Sequence, residues 1–106
     1  MERQYRYYHR IIAYMEGNYM KDLSLEQLCE EVSLSTTYVN HILKSCTDRT
    51  FIHVLNEMRV KKACEYLEED RLKVREIAEK TGFRSSKYFI KIFKDMQGVT
   101  PGQYKR

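Results

Sequence analysis

Four cations stand close together in the last quarter of the chain: Arg84, Lys87, Lys91 and Lys94. Lys87 and Lys91 are four residues apart, so on a helix they share a face. Such a face suits a polyanion, through phosphate neutralisation and release of counterions. The surrounding charge agrees: residues 71–106 hold ten Lys/Arg against three Asp/Glu, a balance of +7, whereas residues 1–70 hold nine against twelve, a balance of −3. A basic face that is merely solvated is the plain alternative. Other chemistries find less support. His41, Cys46 and His53 match no metal-ligand spacing, so no metal or other cofactor is expected. No nucleophile elbow, phosphate loop or H-E-x-x-H is present, and the carboxylate pairs Glu30/Glu31 and Glu68/Glu69 read as wet helix faces. No catalytic residue is assigned and no enzyme is expected. Nine tyrosines among basic residues raise the idea of single-strand stacking. Four of them (Tyr5, Tyr7, Tyr8 and Tyr14) fall in one opening helical stretch, where core packing and covering of the lobe explain them better.

The elements that must position the cations form a repeat. Leu25, Leu28, Cys29 and Val32 are followed by Leu34, Ser35, Tyr38, Val39, Ile42, Leu43 and Lys44; about fifty residues later Val74, Ile77, Ala78 and Thr81 are followed by Phe83, Tyr88, Phe89, Ile92, Phe93 and Lys94. Apolar residues at spacings of three and four give each copy a helix with one face to bury. A tight turn and a second apolar-periodic helix follow, the layout of a helix-turn-helix DNA reader. Gly82 supplies a turn conformation with positive φ. Its counterpart Ser33 takes that conformation only at a cost of about 1 kcal/mol. The copies are 49 residues apart before the turn and 50 after it, so the second turn carries one extra residue.

The rest of the chain parses as helix. An opening helix is expected over 5–19, with Tyr8, Ile11, Ile12, Met15 and Tyr19 on one stripe. Ser24 and Gln27 form a capping box for the next helix, and Ser35 caps the first reader helix, which ends near Ser45. A long helix over 50–69 carries Phe51, Val54, Leu55, Met58, Ala63 and Leu67 at helical spacing. Ser85 or Ser86 caps the second reader helix, and Thr100 with Pro101 opens a short last helix. The expected fold class is all-α: about seven helices, with two helix-turn-helix subdomains (1–49 and 70–106) joined by the long central helix (50–69). At 1.5 Å per residue that helix spans about 30 Å, near the roughly 34 Å repeat of duplex DNA. A single proline and four glycines in 106 residues agree with helix throughout. No run of eighteen apolar residues exists, so no membrane span is expected, and residues 1–6 do not lead into a secretory signal. Three cysteines without a C-x-x-C pair read as reduced thiols of a cytoplasmic protein.

Nearly the whole chain resembles the C-terminal DNA-binding domain of AraC-type (arabinose-operon regulator) transcription factors. The resemblance is carried by Glu76, Ile77, Ala78, Thr81, Gly82, Phe83, Tyr88, Phe89, Phe93, Lys94, Gly98, Thr100, Pro101 and Tyr104. Leu25, Leu28, Leu34, Ser35, Tyr38, Val39, Arg59 and Ala63 support it. Within the family the chain looks like the output domain of response regulators with an N-terminal receiver. The resemblance implies sequence-specific binding of a double-stranded DNA operator, with the third and sixth helices in successive major grooves, and RNA polymerase as a further partner. It also implies a piece of a longer bacterial regulator whose upstream sensing or receiver domain is missing.

Carried over residue by residue, the resemblance makes Thr36, Thr37, Asn40 and His41 base-contact candidates in the first reader helix, and Ser86, Lys87, Ile90 and Lys91 in the second. Asn40 suits adenine and His41 a guanine acceptor, unless both are simply solvated. Lys87 and Lys91 either read guanine or hold phosphate. Phosphate-contact candidates are Ser35, Tyr38, Lys44, Arg84, Ser85, Tyr88 and Lys94. Val39, Ile42, Leu43, Phe89, Ile92 and Phe93 are assigned to core, and Tyr104 to closing the last helix. Departures from the family pattern are Cys29 for an alanine, Ser33 and Asp48 for glycines, and Ile90 for a small polar residue. The alternative function is a helical module that contacts polymerase or another regulator and binds DNA weakly.

Overall fold

The computed structural model describes residues 2–105; Met1 and Arg106, which the segments 1–49 and 70–106 include, lie outside the described residues. Among the described residues there are seven helices and no strand: α1 (Glu2–Asn18), α2 (Leu25–Val32), α3 (Thr36–Thr47), α4 (Phe51–Glu69), α5 (Val74–Lys80), α6 (Ser86–Gln97) and α7 (Pro101–Tyr104). The chain divides into two compact units, Met1–Leu55 and Asn56–Arg106, with the boundary inside α4.

Short-range hydrogen bonds set most helix starts. The Ser24 hydroxyl accepts from the Gln27 N–H (3.1 Å) while the Gln27 side chain accepts from the Ser24 N–H (2.9 Å), which satisfies two donors the first turn leaves orphaned. Ser35 and Ser85 do the same work singly, accepting from Tyr38 and Tyr88 N–H at 3.1 Å each. Thr100 and Gln103 form a second reciprocal pair, ahead of Pro101 in the first turn of α7. Helix α1 begins earlier than the expected residue 5, and α3 runs two residues past Ser45 to Thr47. There Asp48 turns left-handed (φ 59°) and its N–H closes on the Lys44 carbonyl.

In the first unit Ile11 and Met15 of α1, Leu28 of α2, and Val39, Ile42 and Leu43 of α3 are all fully buried. Cys29 is buried as well, and its desolvation pushes the thiol pKa up, with the Glu26 carboxylate adding to the rise. Tyr5 departs from expectation. It is 59% exposed and sets its ring edge-on to His9, 4.5 Å away, rather than packing in the core. At about 100° per residue it stands roughly 100° around α1 from the line through Ile11 and Met15. Tyr7, Tyr8 and Tyr14 are half-buried.

In the second unit the core gathers Val60, Ala63 and Leu67 of α4, Ile77 and Ala78 of α5, Phe83, and Phe89 and Phe93 of α6. Ile92 packs against it at partial burial, as does Tyr104, whose ring meets Phe93 edge-on at 5.5 Å. Thr81 is fully buried, and its hydroxyl donates to the Ile77 carbonyl (2.7 Å), so the polar group is satisfied inside the core.

Candidate nucleic-acid interface

The two turns that aim the reader helices have the same hydrogen bonds. In the first, the N–H groups of Ser33 and Leu34 donate to the carbonyls of Glu30 and Cys29; in the second, those of Gly82 and Phe83 donate to Glu79 and Ala78. Every partner is displaced by 49 residues. Ser33 holds the left-handed conformation (φ 58°, ψ 44°), as Gly82 holds positive φ (97°). The serine therefore keeps the turn that glycine makes at no steric cost. Beyond the turn, Leu34 is followed directly by the cap Ser35, whereas Arg84 intervenes between Phe83 and the cap Ser85. Arg84 is the extra residue, an exposed cation at the mouth of α6.

Each cap then places its four base-contact candidates on one side of a helix. Thr36, Thr37, Asn40 and His41 are exposed, within an arc of about 140° on α3. Lys87, Ile90 and Lys91 are exposed and Ser86 half-buried in the same arrangement on α6. The core residues Val39, Ile42 and Leu43, and Phe89 and Phe93, fill the opposite sides. The His41 ring lies parallel to Tyr38, centroids 6.3 Å apart, which orients the imidazole. Lys91 pairs with Asp95 at 3.3 Å. Exposed pairs of this kind contribute about 0.2–1 kcal/mol, so the ammonium leaves its carboxylate at little cost.

The phosphate-contact candidates divide by neighbour. Lys44 pairs with Asp48 at 3.4 Å. Lys94, at the matching place in α6, has Gly98 four residues on, which carries no carboxylate and makes the same left-handed cap (φ 83°). The last lysine of α3 thus has a carboxylate four residues on, and that of α6 does not. Ser35 and Ser85 use their hydroxyl oxygens as caps and keep the proton to donate. Tyr38 is half-buried with its ring edge-on to Tyr7, 5.8 Å apart. Tyr88 is 41% exposed, its ring beside Phe83, and its hydroxyl oxygen accepts from Asn56 Nδ2 at 3.2 Å.

Asn56 is a positioning residue that sequence reading did not single out. It is buried on α4, in line with Val60 and Ala63 one and two turns on, and a polar residue on such a stripe was the available signal. Because Asn56 donates to the Tyr88 oxygen, the phenolic hydrogen remains for another acceptor. Arg59, also buried, lays its guanidinium over Phe83 (5.7 Å) at the turn before α6. In the first unit Arg10 of α1 plays a comparable part, its Nη2 donating to the Val32 carbonyl at the end of α2 (3.0 Å). Among the described residues no group of three His, Cys, Asp or Glu side chains is placed to hold a metal ion, and no helix is long and apolar enough to cross a membrane.

A family profile described as a helix-turn-helix domain matches residues 28–106. The C-terminal domain of AraT, a response regulator from Geobacillus stearothermophilus, is 35% identical, with a TM-score of 0.88 over 92% of this chain and 82% of that one. The chain belongs to the AraC-type helix-turn-helix family. This AraC-type domain is also 28% identical over 97 residues to YpdC, an uncharacterized HTH-type transcriptional regulator of Escherichia coli K12, covering 92% of this chain and 34% of that protein. It spans 12–56% of the length of this and two further curated relatives. It shares its fold with the DNA-binding domain of AdpA, a global transcriptional factor solved in complex with a target DNA: TM-score 0.84, 24% identity, 90% of this chain and 86% of that one.

Proposed function

We propose that this domain is the sequence-specific reader of a bacterial transcription regulator, binding a double-stranded operator with α3 and α6 in successive major grooves. One observation carries the reading: two capped helices, built on the same turn, each turn four candidates away from the core, all polar on α3 and, on α6, Ser86, two lysines and Ile90. In it Asn40 pairs with adenine and His41 with a guanine acceptor, with Thr36 and Thr37 beside them. Lys87 and Lys91 contact guanine edges or the adjoining backbone, and Ile90 packs on a thymine methyl next to Ser86. Ser35, Tyr38, Lys44, Arg84, Ser85, Tyr88 and Lys94 hold phosphates and fix the register. The domain works in the cytoplasm, joined to a sensing or receiver domain and in contact with RNA polymerase. It performs no catalysis.

Selection from random duplex DNA tests this, followed by titration of the selected site at several salt concentrations. A selected site of two segments about one helical turn apart, with affinity falling steeply in salt, is expected. No enrichment, with weak and sequence-indifferent binding, would overturn the reading in favour of a protein-contact module.

A further inference from the structure

We infer that α1 supplies a third DNA contact: its arginine face, with Arg3 and Arg6 outermost, holds backbone phosphates beside the groove that α3 enters. This rests on the reading of α3 as a groove-entering helix. At about 100° per residue, Arg3, Arg6, Tyr7 and Arg10 fall within an arc of about 100° on α1. The three arginines are exposed and Tyr7 is half-buried. That arc borders the first reader unit directly. Arg10 is tied to the Val32 carbonyl at the close of α2 and lies over the Tyr7 ring at 5.8 Å. Tyr7 meets Tyr38 edge-on at 5.8 Å, and Tyr38 lies against His41 on the base-reading side of α3. An unbroken run of side-chain contacts therefore joins the arginine face to the residues proposed to read bases, all within one unit.

Charge makes the same point. Residues 1–55 carry six Lys/Arg (Arg3, Arg6, Arg10, Lys21, Lys44 and Arg49) against seven Asp/Glu. Half of the cations lie on this one face of α1, and α3 offers only Lys44, which is paired with Asp48. A helix entering a groove between two phosphate strands needs cations at its margins, and α1 is where the first unit concentrates them. The face presents three guanidiniums and one half-buried ring, with no large exposed aliphatic anchor, so it suits phosphate better than a protein partner.

The test uses the full chain and the selected duplex, comparing wild type with the double variants Arg3→Ala/Arg6→Ala and Arg3→Lys/Arg6→Lys. Anisotropy titrations run from about 50 to about 200 mM salt. Removing two phosphate-holding cations lowers the slope of log affinity against log salt by about 1.8 and weakens binding roughly thirtyfold near 0.15 M. The selected sequence stays the same, hydroxyl-radical protection disappears at the sugars flanking the α3 segment, and the lysine variant retains most of the slope. An alanine variant with wild-type slope and footprint, against a wild type that binds its two-segment site, overturns the inference and leaves the reading of α3 intact. A wild type without any selected site overturns both.

Discussion

Ser33 is the residue at which sequence and backbone are most at odds, because it occupies the left-handed conformation that Gly82 takes in the other copy. Replacing it with glycine removes a steric penalty and adds some unfolded-state entropy, for a net gain of about 1 kcal/mol. Ser33→Gly is expected to raise Tm by roughly 4–8 °C in thermal unfolding, and Gly82→Ala to lower it; a lower Tm for Ser33→Gly would mean that the serine is held there by some other interaction. Tyr104 sets a different test at the same scale. Its hydroxyl donates to Glu68 Oε2 at 3.0 Å, and its pKa is pushed up to about 12, first by its hydrogen bond with the Cys64 thiol and then by Glu68. Between pH 10 and about 12 the folded chain keeps a proton that the unfolded chain has released. Stability from this group is therefore complete below pH 10 and is lost as pH rises through that window. Denaturant titrations across it should show wild type losing more stability than Tyr104→Phe; parallel curves would show that the group titrates alike in both states.

Elements that depend on neighbours three or four residues away were legible in the sequence. The Ser24/Gln27 box, the Ser35 cap and the Thr100/Pro101 start all rest on local side-chain chemistry and stand where expected, and of Ser85 and Ser86 it is Ser85 that caps α6. The shared turn was legible too, since its apolar spacing and Gly82 are local signals. What escaped were bonds between elements, such as Asn56 to Tyr88 and Arg10 to Val32, separated by 32 and 22 positions. No periodicity encodes those partners. The exposure of Tyr5 escaped for a related reason, because a stripe of tyrosines does not say which ring the neighbouring helices cover. The unforeseen Asn56 bond yields a prediction for α6. If it aims the Tyr88 proton at a phosphate, Tyr88→Phe and Asn56→Leu should each weaken all duplexes several-fold while leaving the selected sequence unchanged. Tyr88→Phe binding like wild type would confine the pair to packing.

Across the whole chain the two units carry opposite balances, although their turns and caps are alike. Residues 1–55 sum to −1, from six Lys/Arg against seven Asp/Glu, and residues 56–106 to +5, from thirteen against eight. The two helices repeat the contrast: α6 brings three lysines, Lys87, Lys91 and Lys94, with Arg84 at its mouth, and α3 brings one, Lys44, beside Asn40 and His41. Counterion release scales with phosphates neutralised, so α6 should supply more of the sequence-indifferent grip than α3, whose own part should be mainly discrimination. Two families of variants separate these roles. Lys87→Ala, Lys91→Ala and Lys94→Ala should each lower affinity for selected and random duplexes together, reducing the salt slope by about 0.9 for each phosphate left without its cation. Asn40→Ala should leave the slope unchanged and relax preference at one base pair of one segment, costing about 1–3 kcal/mol there. Lys91 has a second possible outcome. A guanine-reading Lys91 would show itself by relaxed preference in the other segment, moving part of the discrimination to the second unit. Wild-type affinity of Lys91→Ala at low salt would reject both roles for it, and an unchanged selected sequence for Asn40→Ala would mean that the first unit positions the domain without reading it.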